Sequence, residues 1–378
     1  MTLNSVELER AKAAATLLGE ASRRLRILRS MEWDADVKAR FFANGATALP
    51  VVDYAPVKTK LARKKIKAAT EMLSGDHPVL QWLTRTAATL ETTASLLETR
   101  GTAAFYGHSK ALYGTPTRLL LDGKTQVLEL AQHMDSTLTG LTNPHLVLEG
   151  ADEALTDAQF VAALEPLLGK HFGESAPRVE LTPNLSAKAS AGSKRIRVRA
   201  GAKFTQMDVA QLLQHEALVH TATALNGRSQ DGFPILGTAH AGTTQIQEGL
   251  AVFAEMISGT MDPTRFRRLS DRVIAIQMSV EGADFIEVYQ YYLEKSDDPD
   301  QSFDNARRIF RGGILTGGAP FTKDMVYLNG LLRVHNFLRM AVKLGRADLI
   351  RLLFVGKLDL EDIPALAILA DMGELTPP

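Results

Sequence analysis

Two histidines flank a glutamate in the run His215-Glu216-Ala217-Leu218-Val219-His220. Imidazole and carboxylate groups are zinc ligands, and a chain with no cysteine must build any zinc site from them. The common zinc-hydrolase pattern sets two His four residues apart on one helix face, with the Glu after the first serving as general base. Here the spacing is one residue longer. Five residues on an ideal helix turn through about 140°, so the two rings do not converge on one ion by themselves. The helix must widen, tighten or end near His220. A π-type bulge is one way to insert the extra residue, and such bulges concentrate at functional sites. On spacing alone, a buried His pair with no metal is an equal reading. Carboxylate-bridged di-iron proteins are excluded, because they pair Glu-x-x-His motifs on facing helices, whereas three residues separate Glu216 from His220 and no second pair exists.

Catalytic zinc takes three protein ligands and keeps one position for water. The third candidate lies in QEGLAVFAEM, residues 247–256. Ile246, Leu250, Phe253 and Ile257 mark the apolar face of a helix there. Glu248 and Glu255 are seven apart and fall on nearly one side of it. Glu248 comes 28 residues after His220, which leaves room for a loop and an antiparallel return. Glu248 then completes the set with His215 and His220, while Glu255 orients a ligand His from behind. In such a site zinc polarises a scissile carbonyl and acidifies its water. Glu216 takes the proton and passes it to the leaving amine. The other histidines, at 77, 108, 133, 145, 171, 240 and 335, lack a comparable setting. His240 is a reserve ligand, and His335 reads as a helix-surface or core residue.

The elements that must hold these groups are mostly helical. Leu8, Ala11, Ala15, Leu18 and Leu25 repeat at helical spacing, as do stretches over 58–73, 77–98 and 125–137. The stretch over 58–73 carries a basic cluster, Lys58, Lys60, Arg63, Lys64, Lys65 and Lys67. It reads as a solvated helix face or as a docking surface for an acidic partner. FYGHSKALYGTP, 105–116, reads as a loop or a short helix ending in a turn. A helix follows from Asp157 and ends near Gly169. Val179 and Leu181, then Ile196 and Val198, alternate with polar residues and predict two short strands, with a loop rich in Ser, Ala and Gly between them. Thr205 and Asp208 form a helix start signal ahead of Val209, Leu212 and Leu213. Asn226-Gly227 is the stop. A strand beside a zinc helix can bind peptide by edge pairing.

Composition limits the remaining classes. Hydrophobic residues make up 45% of the 378 and charged residues 23%, the balance of a folded globular chain. A formal net charge of +0, from 43 basic and 43 acidic residues, argues against a general nucleic-acid binder. The N-terminus lacks a secretory pattern, and no apolar run reaches the roughly 20 residues of a membrane span. A cytoplasmic protein is expected.

HEALVH followed by QEGLAVFAE resembles the bacterial QEGLA-motif family, labelled as modulating flavohaemoglobin expression. That family is similar to the microtubule-associated tyrosine carboxypeptidases. SKALYGTP (109–116), the LLQHE run and FTKDMVYLNGLL (321–332) extend the resemblance over about 105–332. It implies one zinc per chain on His215, His220 and Glu248, with Glu216 catalytic, in a carboxypeptidase-like hydrolase acting on the C-terminus of a peptide or protein. Tyrosine specificity does not follow from the motif. Such an enzyme must neutralise its substrate's terminal carboxylate. Arg suits this because its fork binds both oxygens: Arg311, in the segment FRGGILTGG whose glycines allow close approach, is the first choice and Lys323 the second. Tyr327, four residues after Lys323, is a candidate oxyanion donor and catalytic group.

The expected fold is mainly α with a small β-sheet (α+β), a gluzincin-like metallopeptidase core over 101–378 preceded by a helical region over 1–100. Two other functions remain open: a regulatory or binding protein with a structural zinc site, and a zinc amidase on a non-peptide amide. Substrate, oligomeric state and the role of the glycine-rich stretch 312–318 are not written in the sequence.

Overall fold

A computed structural model describes residues 3–140, 154–183, 185 and 188–378. His145 and part of the expected loop after Leu181 lie outside the described residues. The described chain is mainly helical, with one small three-stranded mixed sheet. It divides into two compact units. The first comprises Met1–Ser136, His240–Gln245 and Arg267–Asn329; the second comprises Thr137–Ala239, Ile246–Phe266 and Gly330–Pro378.

In the first unit, the helix Ser5–Ser22 starts on a capping box between Asn4 and Glu7, and it buries Ala11, Ala14, Ala15 and Leu18. It packs against Lys60–Met72 and Pro78–Glu98, where Ala62, Ile66 and Ala69 present a similarly small face. The FYGHSKALY segment is a helix, Ala104–Tyr113, halted by Gly114 at φ 84°. A separate aromatic core joins Trp33, Phe41, Phe285, Tyr289 and Phe303. Its rings meet edge-on or tilted, with Phe41 and Tyr289 centroids 5.1 Å apart, the arrangement that ring quadrupoles favour. The stretch 312–318 is tied into this unit: Gly318 N–H donates to Ser279 O, and Leu315 O accepts from Phe285 N–H.

The second unit holds the sheet. The helix Asp157–Phe172 opens on the Thr156/Gln159 capping box and runs through Gly169 to Gly173, which takes the left-handed φ of 53°. The stop is therefore four residues later than the sequence suggested. β1 (Arg178–Thr182) and β3 (Arg195–Arg199) are the two expected strands, and they pair in parallel. A third strand, β2 (Ala189–Ala191), runs antiparallel along the outer side of β3. The loop reading of that segment is corrected here. Ala-Ser-Ala carries no strand propensity of its own, and its pairing with Ile196, Arg197 and Val198 is what makes it a strand. Ile196 and Val198 on β3 meet Phe160 and Leu164 of the preceding helix and Val209, Leu212 and Leu213 of the motif helix in one core. Phe160 and Phe204 stack with centroids 4.2 Å apart, at the entry to that helix.

No helix among the described residues is long and apolar enough to cross a membrane.

Candidate metal centre

The motif helix begins where Thr205 and Asp208 predict, with each side chain bonding the other's backbone N–H. It is α-helical over Gln206–Leu212, π-helical over Leu213–Thr221, and α-helical again over Ala222–Arg228. The π segment answers the spacing problem. Bonding from i to i+5 takes an extra residue into each turn, so residues five apart come to lie one above the other. The His215 and His220 rings consequently sit 4.9 Å apart, nearly perpendicular.

Glu248 comes from the helix Ala241–Ile257. Its Oε2 is 3.5 Å from His215 Nε2 and 3.7 Å from His220 Nε2, and the three ligand atoms lie within 4.8 Å of one another. Ligands about 2.0–2.1 Å from a tetrahedral ion are roughly 3.4 Å from each other. The three residues therefore fit a divalent ion with small adjustments, and two imidazoles with a carboxylate are a zinc donor set.

The same helix reaches this position through a close backbone crossing. A Cβ on Gly249 would fall 2.2 Å from the carbonyl carbon of Gly330, so only glycine lets the Glu248-bearing turn approach so near. Ile246 and Leu250 are buried as the periodicity predicts. Ile257 is not: it is 68% exposed, at the final residue of the helix.

Behind His215, Glu255 is fully buried, and its Oε1 accepts from His215 Nδ1–H at 2.6 Å. This turns Nε2 toward Glu248. Arg265 donates to both Glu255 oxygens at 3.0 Å. Burial pushes the Glu255 carboxyl up, but Arg265 and His215 outweigh it and hold the group at about 2. Burial depresses the His215 imidazolium, yet Glu248 and Glu255 raise its pKa to about 10. The surroundings of His215 thus favour positive charge strongly.

Glu216 is half-buried, and its Oε2 accepts from the backbone N–H of Ala191 on β2 at 2.7 Å. The edge strand and the residue after the first ligand are thus joined directly.

Lys357 carries no motif in the sequence, yet it bridges the two ligand-bearing helices. Its Nζ donates to His220 O at 3.2 Å and to Gln247 Oε1 at 2.9 Å. Thr223 Oγ1 lies 2.9 Å from the same Gln247 oxygen. Burial pulls the Lys357 ammonium down to about 8, while Glu248 and Glu216 act against that shift. The loop carrying it docks on Leu236, whose carbonyl accepts from Lys357 N–H at 2.7 Å. The neighbouring Gly356 allows that approach, since a Cβ on it would fall 2.7 Å from Leu236 Cβ.

The three residues chosen for substrate contact belong to the first unit, and the ligands belong to the second. Arg311 is 5% exposed and stacks over Phe321 at 5.6 Å, with a buried Nε that has no hydrogen-bond partner. Burial first, then the neighbouring Arg308, lower its guanidinium to about 10. Lys323 is buried in the 3-10 turn Thr322–Met325, 5.2 Å from the Tyr327 ring. Tyr327 starts the next helix, and its hydroxyl accepts from Arg308 at 3.3 Å. His240 also lies in the first unit, where burial lowers its pKa to about 4, and it is not part of the ligand group. His335 is exposed beside Phe253.

No curated protein matches the chain in sequence. A family model does. It is described as microtubule-associated tyrosine carboxypeptidase, abbreviated MATCAP, and it covers the motif helix, the sheet and the helix of Glu248. Its match runs over residues 39–378, and the chain therefore belongs to the MATCAP family.

Proposed function

We propose that the chain is a zinc-dependent carboxypeptidase that removes residues from the C-terminus of a peptide or protein. One zinc ion per chain sits on His215, His220 and Glu248, in a gluzincin-like core over 101–378. The observation that carries this reading is the convergence of the three ligand atoms beside a half-buried carboxylate, Glu216, whose Oε2 is held by the Ala191 N–H. A structural metal site has no need of a base beside its first ligand, which disfavours a purely regulatory role.

When bound, the ion supplies Lewis acidity toward a carbonyl and toward water. The protein does the rest. Glu216, with Oε2 fixed by Ala191 N–H, has Oε1 available to accept the water's proton and return it to the leaving amine. Glu255 keeps the His215 ring in the tautomer and orientation the ligand needs. β2, at the margin of the sheet, offers backbone groups to an extended peptide. The same reading assigns Arg311 and Lys323 to the substrate's terminal carboxylate and Tyr327 to the oxyanion. The support is their chemistry: a buried guanidinium with an unsatisfied Nε, a buried ammonium, and a hydroxyl held by Arg308.

Elemental analysis of wild type and Glu248→Ala, beside turnover of a peptide library with varied C-termini, tests the proposal. About one zinc per chain, lost in the variant, with release of single C-terminal residues, is the expected result. Zinc without peptide turnover would shift the assignment to an amidase or a regulatory protein. No metal after reconstitution would end it.

A further inference from the structure

The basic cluster of the first unit does not act as one solvated face. Arg63 is consumed by the fold, paired with Glu91 and Glu98, and Lys65 is paired with Glu20. Lys67 approaches Glu71 only at 4.0 Å. Lys58, Lys60 and Lys64 make no ion pair among the described residues. These three, with Arg24, rim a groove of about 1450 Å³ between the helices Lys60–Met72 and Pro78–Glu98, whose two acidic lining residues, Glu91 and Glu71, face Arg63 and Lys67 and leave the surplus positive. Its floor is apolar, built on Val57, Leu61, Ile66, Ala87 and Ala88. Leu61 is 45% exposed there, on the same helix as Lys60 and Lys64.

An apolar floor under a cationic rim sets two requirements on an occupant: negative charge at its edges and hydrophobic side chains toward the protein. A channel between two helices takes a single segment of chain rather than a flat surface or a duplex. The chain's net charge of +0 means this positive surplus is local. We propose that the groove docks an acidic amphipathic peptide segment of a partner protein, one that interleaves Asp or Glu with Leu or Phe at helical spacing. Its lysines steer the segment and Leu61 anchors it. The inference is independent of the metal centre.

The test is fluorescence anisotropy on the full chain with a labelled peptide of alternating Glu and Leu at i, i+3 and i+4. A scrambled peptide of identical composition, a single-stranded oligonucleotide and phosphatidylserine vesicles are compared in parallel. The expected result is saturable binding of the patterned peptide. It should weaken about tenfold or more in Lys60→Glu/Lys64→Glu, and also in Leu61→Ser, with unchanged circular dichroism. All three positions are exposed, so the fold tolerates the changes. Equal binding of the scrambled peptide would overturn the proposal, as would tighter binding of the oligonucleotide or vesicles. Variants that bind as well as wild type would overturn it too.

Discussion

Glu255 stands 2.6 Å from His215 Nδ1 while Arg265 holds both of its oxygens, so the carboxylate cannot turn without breaking three contacts. It fixes which His215 nitrogen is free. Glu255→Gln should therefore weaken zinc binding by about 10–100-fold, the usual cost of losing such a partner. Competition against a chelator of known affinity measures it. Unchanged affinity would mean that the ligand ring is held by packing alone.

Glu216→Gln keeps the size of the side chain and its contact with Ala191 but removes the base. Zinc content should match wild type, while peptide turnover falls by about 10²–10⁴-fold, the range of general acid–base catalysis. Elemental analysis and product release, measured on one preparation, separate the two effects.

Gly249→Ala forces a Cβ against the Gly330 backbone at 2.2 Å. The expected cost is about 1–3 kcal/mol, the scale of overpacking, together with weaker metal binding because Glu248 is the preceding residue. Gly169→Ala is the control. It lies exposed within the helix Asp157–Phe172 with nothing near its added methyl, and it should be neutral or stabilising by up to ~1 kcal/mol. Thermal melts of the two variants should move in opposite directions or differ by several degrees.

Asp324 is buried between Arg308 and Arg272. Burial raises its carboxyl, but the two guanidinium groups outweigh this and hold it well below the ordinary aspartate value. A depressed folded-state pKa contributes stability that is complete above the unfolded value, about 3.9, and is lost as pH falls toward the folded one. Asp324→Asn should cost about 3–5 kcal/mol at neutral pH, because it leaves Arg308 uncompensated. The gap from wild type should narrow below about pH 4. Melting temperatures measured between pH 7 and 2 decide it; a constant gap would contradict this account.

Lys357→Met preserves the stem and removes the donors to His220 O and Gln247 Oε1. A loss of about 0.5–1.5 kcal/mol in stability is expected per hydrogen bond removed, since Thr223 Oγ1 still lies within hydrogen-bond reach of both acceptors, with faster zinc release to a chelator. Faster release without loss of helicity would show that the lysine positions the ligand helices rather than merely filling space.

These residues show how far the sequence could be read. Glu248 and Glu255 were readable because a separation of seven is a helical period, and Thr205 with Asp208 because a capping box is local. β1 and β3 announced themselves through alternation. β2 did not, since Ala-Ser-Ala takes its conformation from β3 rather than from its own side chains. Lys357 was invisible because its contact with His220 spans 137 positions and rests on no periodic pattern. The His215–His220 spacing demanded a distorted helix but could not choose among a bulge, a tightened turn and an early end.

The π segment also has a consequence for the residues that follow it. One additional residue advances the phase of everything beyond it by about 100°. Thr223 faces Gln247, and Gly227 passes within Cβ-clash distance of Leu236 O, only in that advanced phase. Deleting one residue from 217–219 would restore the commoner histidine spacing. It would also rotate a side chain into the Leu236 carbonyl and swing Thr223 off its partner. The long spacing and the packing after it are one decision, and the shorter motif cannot be had in this scaffold by subtraction.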